Sequence, residues 1–469
     1  MTDKRASHDS RIPAALAQSL LTGWAPDAPR SPEISDVAPY TAKRRAALAA
    51  AFPGETLVVP SGVPKVRAND TDYPFRASSD YVWLTGDTEP DGVLVLHPSG
   101  DAVLYVPARV PRGSIDFFAD RGRGELWVGR RPDPQETAAR LGISCQPRRE
   151  LDGSRLGSVR VLRGTGDPVE QELAADQARD AQLAQVCAEL RLIKDDWELG
   201  QLREATAATA RGFADVLAER RGARQFGERW LEGTFWRRAR AEGNDVGYSS
   251  IVACGPHATT LHWNRNNGPV DDGDLLLLDM GIELTSLYTA DVTRTVPVGG
   301  RFSPAQRQVY ELVLAAQQAG FAAAEPGADF LAPNRAAMRV LAAGLHDWGI
   351  LPVGADDVVT DDDSAPAAGL HRRYTLHNVS HMLGLDVHDC AHARQERYLR
   401  GALRPGMVLT VEPGLYFQPD DLTVPPELRG VGVRIEDDIA ITTDGAQNLS
   451  DQLPHRADDV ERWVASCAS

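Results

Sequence analysis

Cysteine is scarce in this chain, with 5 in 469 residues: Cys145, Cys187, Cys254, Cys390 and Cys467. The number is odd, the spacing is irregular and no CxxC pair occurs. That pattern argues against a disulfide framework or a structural zinc site, and for reduced thiols in a cytoplasmic protein. Long apolar runs are also missing; none nears the roughly 18 residues that a membrane-spanning helix needs. The opening MTDKRASHDSRIP has charge but no apolar core, so no secretory leader is expected. Positive charge is in deficit, with 50 Lys plus Arg against 66 Asp plus Glu and a formal net charge of -16. Such a surface disfavours nucleic acid and anionic membrane as main partners. The apolar share of 42% and charged share of 25% are ordinary for a globular chain, and the length suits two or three domains.

Four segments are expected: a loose polar arm at 1–38, an N-terminal domain at 39–190, a second domain at 195–456, and a tail at 457–469. From Tyr40 the run YTAKRRAALAAAF predicts a helix. TLVVP, YVWLTG, GVLVLHP, AVLYVP, ELWVG and VRVLRG then predict strands, interleaved with helical pieces such as PQETAARLG, which gives an α/β domain. One connecting helix is expected near 169–195, and DDWELGQLREATAATARGFADVLAER opens the second domain as a long amphipathic helix. The acidic stretch 354–369 reads as a solvated insertion, with a lid over a site as the alternative.

A short internal repeat carries the chemistry. GDLLLLDMG (273–281) and GMVLTVEPG (406–414) share a glycine, an apolar strand, a carboxylate and a closing glycine at equal offsets. Each precedes a second strand with its own acid, TADVTRTV around Asp291 and GVRIEDDIAI around Glu436. Two such halves facing one another would converge Asp279, Asp291, Glu412 and Glu436. A carboxylate inside an apolar strand is costly unless paired or bound to a cation. Asp279 and Asp291 are equidistant from Thr285, so a hairpin centred there would set them directly opposite. Bare carboxylates that close force one to stay protonated, a problem that a divalent cation removes. With His381 the set suits two metals roughly 3.5–4 Å apart, and its oxygen-rich character favours Mn²⁺, with Co²⁺ or Zn²⁺ as substitutes.

LHNVSHMLGLDVHD (376–389) holds His377, His381 and His388, three of the chain's 11 histidines. His262 lies in ATTLHWN, also after a strand-like run. Amide hydrolysis needs donors for a developing oxyanion and a proton for the leaving nitrogen, which histidines beside a metal can supply.

In combination, LLLDMG, ADVTRT, NVSHMLGLDVHD, MVLTVEPGLY and GVRIEDD resemble the pita-bread metallopeptidases, and among them the aminopeptidase P (Xaa-Pro aminopeptidase) branch. NDTDYPFRASSDYVWLTGDTEPDGVLVL is similar to that branch's N-terminal domain, so the likeness spans roughly 40–456. The resemblance implies an α/β (α+β) chain: an N-terminal mixed-sheet domain, then a pita-bread domain with a pseudo-two-fold repeat. It implies two divalent cations held by Asp279, Asp291, His381, Glu412 and Glu436. It implies that His388 contacts the scissile carbonyl, that His262 and His377 line the proline pocket, and that Tyr416 and Arg434 hold substrate and ligand geometry. Tyr248, in GYSSIV, falls near the bridging water. Asp70 and Trp127 match residues that a neighbouring subunit lends to the site in a homodimer or homotetramer. The implied substrate is a peptide with proline in second position. The related alternatives are prolidase, which cuts Xaa-Pro dipeptides, a metal-free creatinase-like hydrolase, and an inactive binding module; the intact ligand set argues against the last two. CAHARQERYLRGALRPGM, after DVHD, departs from the family's usual Val-Gly stretch and leaves loop shape and substrate length open.

Overall fold

The computed structural model describes residues 11–26, 30 and 32–467. They fall into two compact units, Met1–Leu190 and Arg191–Ser469. The first is built on a five-stranded mixed sheet in the order Ser144–Pro147, Ala102–Val106, Val93–Leu96, Thr56–Pro60, Val159–Val161. The outer pairings are parallel and the inner ones antiparallel. Thr56–Pro60 and Val93–Leu96 are buried along their whole length, hence the unbroken apolar runs in the sequence.

Several expectations need correction here. YVWLTG is helical, in Ser79–Thr85, not a strand. Its β-branched and aromatic residues are all buried, and the helix stops at Gly86 in the left-handed region (φ 71), where a Cβ would press on Val37 at 2.6 Å. ELWVG is likewise one helical turn, Glu125–Val128. The single connecting helix is two, Val169–Glu172 and Gln177–Arg191. Arg163 draws the carbonyls of Leu173 and Ala174 out of register at 3.4 and 3.2 Å, and Asp176 accepts from the Arg179 N–H at 3.2 Å to start the second helix. Of the arm 1–38, residues 1–10, 27–29 and 31 lie outside the described residues. Ala14–Leu20 forms a helix that buries nothing, but Ser35 already donates to the Arg140 carbonyl at 2.8 Å and Val37 is buried.

The second unit pairs the helices Asp196–Phe226 and Glu228–Glu242, and the helices Pro304–Ala322 and Ala332–Asp347. Its first sheet has the order Val292–Pro297, Leu275–Met280, Ile251–Cys254; its second, Val408–Val411, Asp437–Ile441, Ala446–Asn448. Residues 379–383 run antiparallel beside Val408–Val411, with Thr410 and Glu412 donating to the carbonyls of His381 and Val379 at 3.0 and 2.8 Å. The halves therefore repeat. In each, one acid lies at the end of a strand, Asp279 one residue before Met280 and Glu412 one residue after Val411, and the antiparallel neighbour begins just after another acid, at Val292 and Asp437.

The hairpin of the first half is centred on Ser286 rather than Thr285. A three-residue turn, closed by Leu284 N–H to Tyr288 O at 2.9 Å, contains Leu287 at φ 67. Asp279 consequently faces Thr293, and Asp291 is its diagonal neighbour. A shift of two keeps the face, so the acids still converge. In the second half the registers Val411↔Asp437 and Gly414↔Arg434 set Glu412 level with Glu436.

Arg294 fastens one half to the other. Its fully buried guanidinium donates to Asp437 Oδ1 at 2.6 Å and to the carbonyls of Glu436, Thr293, Leu453 and Pro454 at 2.6, 2.9, 3.0 and 3.0 Å. The tail expected at 457–469 is instead a helix, Ala457–Ser466, that buries Ala457, Val460 and Val464 at helical spacing. Replacing Arg294 with Leu leaves Asp437 buried without its cation and is expected to cost about 3–5 kcal/mol in urea unfolding; a loss under about 1 kcal/mol contradicts this clasp.

Candidate metal centre

A cavity of about 530 Å³ opens in the second unit, and Tyr248, His262, Asp279, Asp291, His377, His381, His388, Glu412, Arg434 and Glu436 all line it. Tyr416 does not line it but bonds to two that do. Asp70 and Trp127 belong to the first unit. There Arg121 pairs with Asp70 at 3.0 Å and lies 4.7 Å over the ring of Trp127, which is 49% exposed rather than a core aromatic. No residue of 354–369 lines the cavity.

The acids are largely withdrawn from the surface: Asp279, Asp291 and Glu436 are buried and Glu412 half-buried. Asp279 accepts from Arg434 Nη2 at 2.5 Å and from the Tyr248 hydroxyl at 2.6 Å. Arg434 also donates through Nη1 to the Tyr416 hydroxyl at 3.0 Å and through Nε to Thr293 Oγ1 at 3.0 Å. Thr293 in turn donates to Glu436 Oε2 at 2.7 Å. One guanidinium thus organises both halves of the site. The Tyr416 hydroxyl lies 2.8 Å from His377 Nε2, and His377 Nδ1 faces its neighbour's carbonyl at 2.8 Å. A carbonyl can only accept, so Nδ1 carries the proton and Nε2 accepts from Tyr416. Burial and Arg434 hold His377 down to about 4, which fits that neutral role.

His381 decides what the centre is for. Its Nδ1 is 3.2 Å from the Met382 carbonyl and must donate there. Nε2 then points at Asp291 Oδ2 (3.3 Å) and Glu412 Oε1 (3.4 Å), both acceptors. Three electron-rich atoms converge, and a proton or a metal cation must lie among them. Without a metal the burden falls on protons. Burial, with Asp291 and Glu412 nearby, drives Glu436 far up; burial likewise lifts Glu412 to about 7. His381 rises to about 9, because Asp291 and Glu412 outweigh its burial. Asp279 is raised by burial despite Arg434, while Asp291 is lowered because the His381 bond overcomes its burial. A divalent cation would hold every carboxylate ionised, and Asp291, His381 and Glu436 each offer an atom within 4.8 Å of the others. The residues therefore fit a metal. Asp279 and Glu412 stand outside that close trio, one engaged by Arg434 and Tyr248, the other beside His381.

Reading the sequence missed Tyr398 and Leu399 in the cavity wall, and Asp438, which is buried and accepts from the Asp291 N–H at 3.1 Å. The second acid of the IEDD run was the available signal for Asp438; nothing local marked the other two.

The model of metallopeptidase family M24 matches residues 200–443, and that of the aminopeptidase P N-terminal domain matches 41–154. The chain belongs to metallopeptidase family M24, in its aminopeptidase P branch. It is 51% identical to Xaa-Pro aminopeptidase 2 of Streptomyces coelicolor over 465 residues, 97% of each chain. Among solved structures it resembles Pseudomonas aeruginosa aminopeptidase PepP, at 31% identity and a TM-score of 0.80, over 92% of this chain and 99% of that one. It also resembles zinc-substituted Escherichia coli aminopeptidase P in complex with product, at 31% identity and a TM-score of 0.79, over 93% and 100%. The pita-bread α/β architecture expected from the sequence is thereby borne out, and family and ligand trio together support divalent metal binding.

Restoring Mn²⁺ to chelator-treated protein should raise its melting temperature, with about 2.7 kcal/mol gained at a hundredfold excess over Kd. His381→Ala should abolish most of that shift; equal shifts in both proteins contradict the centre.

Proposed function

We propose that this chain is a two-metal hydrolase that releases the first residue from peptides with proline in second position. The observation that carries the reading is that four carboxylates line one histidine-rimmed cavity, with His381 Nε2 turned towards two of them, Asp291 and Glu412. Asp279, Asp291 and Glu436 would serve one cation, and Asp291, His381, Glu412 and Glu436 the other. Their oxygen-rich set favours Mn²⁺. Such cations bring the pKa of a coordinated water towards neutrality and polarise a carbonyl.

The chain's own groups supply the rest. The acidic floor attracts the free ammonium of the peptide's first residue, so a blocked N-terminus should bind poorly. His388, in edge contact with His381 at 4.5 Å between centroids, is held below its ordinary pKa by burial and by His381. It stays neutral and donates an N–H to the carbonyl oxygen as negative charge develops there. His262 and His377 flank the proline ring, whose fixed shape and missing N–H set it apart from other residues. Glu412 takes the proton that the attacking water loses as it bonds to the carbonyl carbon, and passes it to the prolyl nitrogen as the C–N bond breaks. The chain from Asp279 through Arg434 and Tyr416 to His377 keeps these groups in place.

Asp70 and Trp127 are proposed to serve the site of a neighbouring copy in a homodimer or homotetramer; the exposed Trp127 ring under Arg121 supports this. Among the described residues no helix is long and apolar enough to cross a membrane, and cytoplasmic peptides are the proposed substrates.

Glu412→Gln should lower kcat by roughly 10²–10⁴-fold at unchanged metal content; a wild-type rate contradicts the role. Xaa-Pro-Xaa tripeptides should be cleaved in preference to Xaa-Pro dipeptides, whereas the reverse preference would make the enzyme a prolidase.

A further inference from the structure

The run after DVHD returns to the cavity at Tyr398 and Leu399. It is not a free loop there. On one side the Tyr398 hydroxyl accepts the Met382 N–H at 2.8 Å, next to His381, and its ring packs on Phe330 at 5.0 Å. On the other side residues 401–403 lie antiparallel against 327–330. Phe330 donates to the Gly401 carbonyl at 3.0 Å, Leu403 to Ala328 at 2.8 Å and Gly327 to Leu403 at 2.8 Å. Leu399 sits between these anchors, half-exposed and lining the cavity. A backbone pinned on both sides gives a side chain a fixed reach, which a size filter requires and a mobile loop lacks.

Leu399 lines the same cavity as Val387, the neighbour of His388. On the proposed reading His388 contacts the scissile carbonyl, which belongs to the peptide's first residue, while the proline ring is taken by His262 and His377. The apolar surface beside His388 is then left for the first residue's side chain. We infer that Leu399, held by Tyr398 and by the pairing of 401–403 with 327–330, limits the size of the first residue that the enzyme releases. This rests on the aminopeptidase reading above. Apolar walls of this kind discriminate by size, at roughly tenfold or more for one methylene.

The test is competition in one tube, so that ratios of kcat/KM do not depend on how much enzyme is folded. Phe-Pro-Ala against Ala-Pro-Ala varies the first residue; Ala-Pro-Phe against Ala-Pro-Ala varies the third. Leu399→Ala should raise the first ratio about tenfold, Leu399→Trp should lower it by a similar factor, and the third-position ratio should stay within about twofold. A change that follows the third position, or equal changes at both, overturns the inference. An active wild type whose ratios move in neither variant overturns the inference alone. A wild type that cleaves none of these peptides overturns the functional reading and the inference with it.

Discussion

Four carboxylates line one cavity, and almost everything else in the catalytic unit follows from the need to keep them there. Each would be cheap at the surface. Together, and shielded from water, they repel and resist ionisation, as the rise of Glu412 and Glu436 expresses. One buried guanidinium, Arg434, meets part of this by binding Asp279 and, through Thr293, steadying Glu436. The remainder calls for a cation, and His381 Nε2 lies 3.3 and 3.4 Å from the carboxylates of Asp291 and Glu412.

The duplicated sheet is how a chain delivers four acids to one point without a loop. Each half sets one carboxylate within a residue of a strand's end and another just before the neighbouring strand begins, so the sheet backbone positions all four. That rigidity matters because metal ligands misplaced by even an ångström lose their geometry. Arg294 clasps the halves from behind, and the N–H of Asp291 is engaged by Asp438. The histidines at the rim belong to a less regular segment, yet even there residues 379–383 run along the Val408–Val411 strand.

Much of this was legible in the sequence because the acids interrupt apolar strands, where they have no structural excuse. The face shared by Asp279 and Asp291 was readable too, although the register was not. A turn of three residues with a left-handed Leu287 has no glycine or asparagine to announce it, and it moved the centre from Thr285 to Ser286. The errors elsewhere have the same character. Tyr81, Val82 and Trp83 suit a strand by composition but were claimed by a buried helix. The helix near 173 broke because a distant Arg163 took its carbonyls. Ala457–Ser466 was set aside as a tail although its apolar spacing was in view. Tyr398 and Leu399 reach the cavity only through tertiary anchoring, which no local pattern records.

The most direct test of the central claim is metal analysis of the purified chain combined with anomalous diffraction at the metal edge. The account predicts two metal ions per chain, bound by Asp279, Asp291, His381, Glu412 and Glu436, with Arg434 against Asp279. A crystal grown with excess Mn²⁺ that shows no anomalous peak among these side chains, or a peak only elsewhere, would contradict it.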